Sequence, residues 1–220
     1  PHPQIISTCE VGNRPQNIGT QDPPSGIVRG VHIDGHASLT ELGLQRGDDV
    51  MGAVNFHVRP ARVALLAVEL AAPEFHARFD ALARHYSYRI INRRAPLAVD
   101  HGSAWHVVAP LDVGQMNLAA ARLVGRHDFT SFRASVCQAL SPVKTLHRLD
   151  VSRSGDEILI QATARSFLHH QVRNMVGTLK LVGESNWTAQ DVADALAARD
   201  RAKGGPTAPP DGLYLMQVDY

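Results

Sequence analysis

Two apolar-rich stretches, His147–Ser152 and Glu157–Ala164, flank Ser154-Gly155-Asp156, and this arrangement constrains the fold more than any other feature. A glycine beside an aspartate suits the tight turn that joins adjacent antiparallel strands, so the pattern predicts a β-hairpin. Strand and helix signals alternate irregularly around it. The expected class is therefore α/β in the α+β sense: an antiparallel or mixed sheet with helices on one face, not a doubly wound parallel sheet.

The other elements follow from period and punctuation. Ala61–Leu70, opened by Pro60, is a short apolar run that reads as a buried strand. His85–Asn92 alternates, placing Tyr86, Tyr88 and Ile90 on one face of a half-buried strand. Asp112 can cap a helix carrying Met116, Ala119, Ala120, Leu123 and Val124, with Gly125 ending it. Ser166–Val182 has helical spacing, and Thr188 with Asp191 forms a variant capping box before Val192, Ala195 and Leu196. Gly204–Asp211 reads as a loop and Leu213–Val218 as a closing strand. Residues 1–29 differ: five of the thirteen prolines fall there among Asn, Gln, Gly and Ser, and the segment reads as a loop or disordered arm.

Composition removes several function classes. No run of eighteen apolar residues occurs, so no membrane span is expected. Pro1–Glu10 lacks the order of a secretory signal. Cys9 and Cys137 are too few for a disulfide scaffold or a four-thiolate zinc site, and a reduced, cytoplasmic setting fits best. Twelve histidines invite a metal reading, but there is no H-E-x-x-H and no C-x-x-C. The adjacent His169 and His170 would point to different sides of a helix, so no metal is expected. With 22 basic and 21 acidic residues the net charge is +1, so any basic surface must come from uneven distribution.

Two clusters could carry chemistry. On the Ser166–Val182 segment, His169, Arg173 and Lys180 fall at offsets of four and seven, forming one polar stripe. The plain reading is a solvated helix face; the sharper one is that Arg173, between Val172 and Val176, meets a carboxylate or phosphate. Tyr86 and Tyr88 lie beside Arg84, His85, Arg89, Arg93 and Arg94, five basic groups within eleven residues. Aromatics interleaved with cations suit a nucleic-acid surface, by stacking a base while holding phosphates. The alternative is that both tyrosines are core.

Taken together these stretches resemble the bacterial tRNA pseudouridine synthase A family. Gly30-Val31-His32 matches the end of its R-T-D-x-G-V-H-A motif, and Val54-Asn55 with Pro60 resembles its V-N-x-x-L-P. Phe75-His76-Ala77-Arg78-Phe79 and Arg84-His85-Tyr86-Ser87-Tyr88 resemble F-H-A-R-F and R-x-Y-x-Y. Gly125–Phe129 with Phe132, Phe167–Gly177 and Ala208–Leu215 match as well, so the likeness spans about residues 30–220. It implies a pseudouridine synthase fold of two halves, residues 30–100 and 101–220, around an RNA-binding cleft.

The family's chemistry detaches uracil from its ribose, rotates it and rejoins it through carbon 5, with no cofactor and no metal. The resemblance implies a tRNA anticodon stem-loop as substrate and a homodimer. It gives Tyr86 the stacking of the target uracil, with Arg84 and His169 as further substrate contacts. It gives Arg173 the pairing with the nucleophilic aspartate. The departure lies at that aspartate: counting back from Gly30, its position is Val28. Asp34 is the nearby carboxylate that could substitute, and residues 1–29 match none of the family's opening strand. Two alternatives follow: a catalytically inactive tRNA-binding remnant, or an unstable fragment.

Overall fold

The computed structural model describes residues 4–10, 28–32, 51–52, 54–56 and 64–220. The described residues divide into two compact units, one containing residues through Leu82 together with Leu215–Tyr220, the other Ala83–Tyr214.

In the first unit, β1 (Gln4–Glu10), β2 (Val28–His32) and β3 (Ala64–Ala71) form an antiparallel sheet in the order β2-β1-β3. This corrects the reading of residues 1–29 as a loop or arm, since seven of them form the central strand. The β-branched Ile5, Ile6 and Thr8 suit an extended backbone, and a central strand satisfies its peptide groups on both sides. Propensity alone was too weak to show this; two long-range partners supply the rest. Val28 pairs with Cys9 in the same sheet.

The apolar run is a strand over Ala64–Leu70, but not a buried one; residues 61–63 lie outside the described residues. Leu65 is buried, whereas Leu66, on the opposite face of the strand, is 55% exposed. The Asn55 side chain acts as an extra strand on β3: its Nδ2 donates to the Leu65 carbonyl at 2.9 Å and its Oδ1 accepts from the Leu65 amide at 2.6 Å. One amide thus satisfies both backbone groups of an edge residue.

The second unit is built on a six-stranded sheet. Its strands β4 (Ala83–Asn92), β5 (Trp105–Val107), β6 (Gly125–Asp128), β7 (Val143–Ser154) and β8 (Glu157–Ala164) run in the order β5-β4-β8-β7-β6. The last strand, β9 (Leu213–Asp219), starts in this unit and pairs with β4. Only β4 and β5 are parallel among the pairs whose register is described; the other three are antiparallel. The hairpin is as expected: Ser154 pairs with Glu157, and Gly155 takes φ +58° at the first of two loop positions.

Helices α1 (Val113–Ala121), α2 (Gln171–Gly183) and α3 (Ala189–Ala198) complete the unit. Asp112 caps α1 through Gln115, and Thr188 caps α3 with Asp191 as a full capping box. Two boundaries differ from the sequence reading. α1 ends at Ala121, and Gly125, with φ +115°, opens β6 instead of closing the helix. α2 begins at Gln171, not Ser166, because Phe167–His170 turns: the Leu168 amide is taken by the Gln171 side chain and His170 adopts φ +61°. The core gathers Tyr88, Ile90, Leu146, Ile158 and Ile160 from the sheet against Met116, Leu123, Met175, Leu179 and Val192 from the helical side. No helix among the described residues is long and apolar enough to cross a membrane.

The loop after α3 presses on α2 at Gly177, where a Cβ would lie 1.8 Å from the Pro206 carbonyl oxygen. Gly177→Ala should therefore destabilise the unit. Helix propensity favours alanine by about 1 kcal/mol, whereas the overlap costs about 3 kcal/mol by forcing backbone apart. The expected reading is a lower urea midpoint at unchanged slope.

Candidate active site

The described part of the site is built on β4 and the start of α2. Strand alternation puts Arg84, Tyr86 and Tyr88 on one face of β4, with Tyr86 opposite Ala162 and Tyr88 opposite Ile160 of β8. Tyr88 is fully buried and meets Trp105 edge to face. Tyr86 sits nearer the rim, half-buried, with its ring edge to face against Phe167 at 5.2 Å between centroids. Tyr88 is therefore core, and Tyr86 is half-buried, packed against the edge of the same core. Burial pushes the Tyr86 hydroxyl above its ordinary value, with Arg84 pulling the other way. Arg84 is itself directed by a bond from its Nη1 to the Arg165 carbonyl.

Arg173 occupies the first turn of α2. Its Nε donates to the Ala208 carbonyl at 2.6 Å, while the Ala208 amide donates to the Arg173 carbonyl at 3.1 Å. Arg173 as a whole residue is half-buried, although Val172 and Val176 on either side of it are buried. Among the described residues it has no ion pair, and its two Nη groups have no hydrogen-bond partner. A guanidinium held by one nitrogen with its outer edge open can take a carboxylate or phosphate through two parallel bonds.

His169 is not on α2, so the stripe of His169, Arg173 and Lys180 does not exist. The chain turns before Gln171, and the His169 carbonyl accepts from Ala134. Nor do the two histidines diverge: their rings stack at 4.0 Å between centroids, inclined 31°. Lys180 pairs with Glu184 at 2.6 Å. Burial, then His169 and Arg173, lower the His170 pKa. The basic stretch around β4 is also divided. Arg89 is neutralised by Glu157 at 2.5 Å and Asp100 at 3.2 Å, and Arg93 pairs with Asp156 at 3.6 Å. Asp34 lies outside the described residues, and Val28 opens β2. Cys137 is free and buried, and no group of three His, Cys, Asp or Glu able to hold a metal occurs among the described residues.

Two residues of the matched motifs contribute in ways that the motifs themselves do not show. Tyr88 donates its hydroxyl to the Pro209 carbonyl at 2.7 Å, next to the carbonyl that holds Arg173. Asp211 adds its field to Tyr88, whose hydroxyl is pushed well above its ordinary value, chiefly by burial, with Arg173 opposing and Asp211 reinforcing. Both lie in stretches that resemble the family, Arg84–Tyr88 and Ala208–Leu215, but spacing along the chain does not show that they act on each other.

The amino-acid sequence of this chain is matched by known proteins. The sequence model of the family described as tRNA pseudouridine synthase matches residues 119–220. A tRNA pseudouridine synthase A of Rhodospirillum centenum is 59% identical over 192 residues, 87% of this chain and 78% of the relative. That of Paramagnetospirillum magneticum is 57% identical over 87% of this chain and 75% of its own length. The Rhodopseudomonas palustris protein of the same name is 51% identical over 216 residues, 98% of this chain and 86% of the relative, an alignment that reaches into the first 29 residues. The chain belongs to the tRNA pseudouridine synthase family.

The His170 shift predicts a pH dependence. With its folded pKa below the ordinary 6.5, the unfolded chain takes the proton first as pH falls. The contribution of this group is complete above that value and is lost on acidification through the folded pKa. His170→Asn removes the titration and tolerates positive φ. Its urea midpoint should fall less than that of the parent between about pH 7.5 and 5.5; equal falls would show that His170 does not titrate this way.

Proposed function

We propose that this chain is a tRNA pseudouridine synthase acting on uridines of the anticodon stem-loop, as an isomerase that needs no cofactor and works as a homodimer. The observation that carries the reading is the half-buried Tyr86 ring backed by Phe167, with Arg173 open-handed on the neighbouring α2, in a chain of this family. Tyr86 would stack on the target uracil, Arg84 and His169 would contact the flanking RNA, and the Arg173 fork would hold the nucleophilic carboxylate. In the reaction the bond from ribose C1′ to N1 breaks and that from C1′ to C5 forms; N1 gains a proton and C5 loses one. With Val28 at the family's aspartate position, Asp34 is the carboxylate proposed for the nucleophile's role.

One observation favours a second reading. Val28 stands at the family's aspartate position, as expected of a chain that binds tRNA but has lost its nucleophile. Release of tritium from tRNA labelled at uracil C5 separates the two. Release that Asp34→Asn abolishes supports the enzyme with a recruited carboxylate. Salt-dependent tRNA binding without release identifies the inactive remnant.

Two variants sharpen this. Tyr86→Ala should weaken tRNA binding by about tenfold to a hundredfold, the worth of one stacked base; an unchanged Kd removes Tyr86 from the interface. Val28→Asp should raise tritium release above that of the parent, if the missing carboxylate is the only defect. A variant that binds tRNA yet shows no gain places the defect elsewhere.

A further inference from the structure

The segment Gly204–Gly212 is pinned to α2 and β4 by a ladder of bonds. The Gly205 amide donates to Thr178 Oγ1 at 3.0 Å, and Thr207 Oγ1 donates to Asn174 Oδ1 at 2.6 Å. The Ala208 amide and carbonyl then bond the backbone and Nε of Arg173. Pro209 has no N–H, so its carbonyl is the only backbone group it can anchor, and that carbonyl accepts from Tyr88. The two successive carbonyls therefore divide their partners: Ala208 holds the arginine and Pro209 is held by the tyrosine. Gly212 closes the arrangement, since a Cβ there would lie 2.7 Å from the Tyr88 ring and 2.5 Å from the Arg89 carbonyl oxygen.

A phenylalanine would fill the core at this position as well as the tyrosine does. What the hydroxyl adds is direction. The Ala208 and Pro209 carbonyls belong to successive peptides, and because the pyrrolidine ring locks φ between them only ψ of Pro209 is soft. With the Pro209 carbonyl unanchored the segment regains that freedom, and the Arg173 Nε bond to Ala208 would lose its alignment. We propose that Tyr88 is a positioning residue: by holding the Pro209 carbonyl it steadies the short segment whose preceding carbonyl, that of Ala208, takes the Arg173 Nε, and so sets where the open edge of the guanidinium faces. Tyr88 stays a donor throughout the working pH range, because burial holds its proton and Asp211 adds to that. The proposal rests on the functional reading of Arg173 for its purpose, but not for its geometry.

The test is exchange of the Arg173 Nε–H proton in 15N-labelled full-length chain, assigned with Arg173→Lys. It should exchange slowly in the parent; exchange at the solvent rate overturns the proposal. Tyr88→Phe should speed it by about tenfold, the factor a net hydrogen bond is worth. The Arg89 Nε–H, bonded to Glu157, should keep its protection. Loss of both together means general loosening, and loss of neither means no coupling; either result overturns the role. Replacing Tyr88 by para-aminophenylalanine keeps the ring and restores a donor, and should restore protection. It decides the matter where Tyr88→Phe does not fold: a folded chain with a protected Arg173 supports the role, and any other result overturns it. If the chain turns over tRNA, Tyr88→Phe should lower kcat by up to about a hundredfold with KM nearly unchanged. A chain with the predicted exchange but no tritium release fails as an enzyme and leaves the positioning role standing.

Discussion

Asn174 is the interaction on which the second unit depends. It is fully buried on α2, its Nδ2 donates to the Phe132 carbonyl at 2.8 Å, and its Oδ1 accepts from both Thr207 and Arg201. One side-chain amide thus joins the helix to the Thr130–Phe132 turn on one side and to the loop after α3 on the other. Each partner would otherwise be a polar group taken out of water, at a cost of about 1–3 kcal/mol. The bare face of Gly177, three residues on, lets that loop come close enough for the bonds to form.

From this junction the site geometry follows. Arg173 precedes Asn174, so the contact that seats the helix also seats the arginine. Among the described residues its guanidinium is constrained from one side only, by the Ala208 carbonyl. On β4 the same logic separates two tyrosines two residues apart. Tyr88 spends its hydroxyl on the loop and its ring on the core, while Tyr86 packs against the edge of that core beside Phe167 and stays half-buried. The candidate interface is therefore narrow. Arg89 and Arg93, which the density of charge made part of it, are committed to Glu157, Asp100 and Asp156.

Much of the second unit was legible in the chain because its signals are local. The hairpin at Gly155, the capping box at Thr188 and the alternation from His85 to Asn92 each act within a few residues. The misreadings were where long-range pairing overrides local preference. Gln4–Glu10 looked like part of an arm and became a central strand because β2 and β3 bracket it. Helical spacing ran back to Ser166, yet the bond between the Gln171 side chain and the Leu168 amide begins the helix five residues later and removes His169 from it.

The sequence by itself determined the fold class, the family and the choice of Tyr86 and Arg173, because motif residues and turn residues are properties of short segments. It also determined the departure at Val28, which no packing can supply with a carboxylate. Only the tertiary structure decided which tyrosine is fully buried, which arginines are already paired, and that Tyr88 and Arg173 bond the successive carbonyls of Pro209 and Ala208. Those outcomes depend on contacts between residues as far apart as 121 positions, and spacing along the chain carries no information about which distant groups will meet.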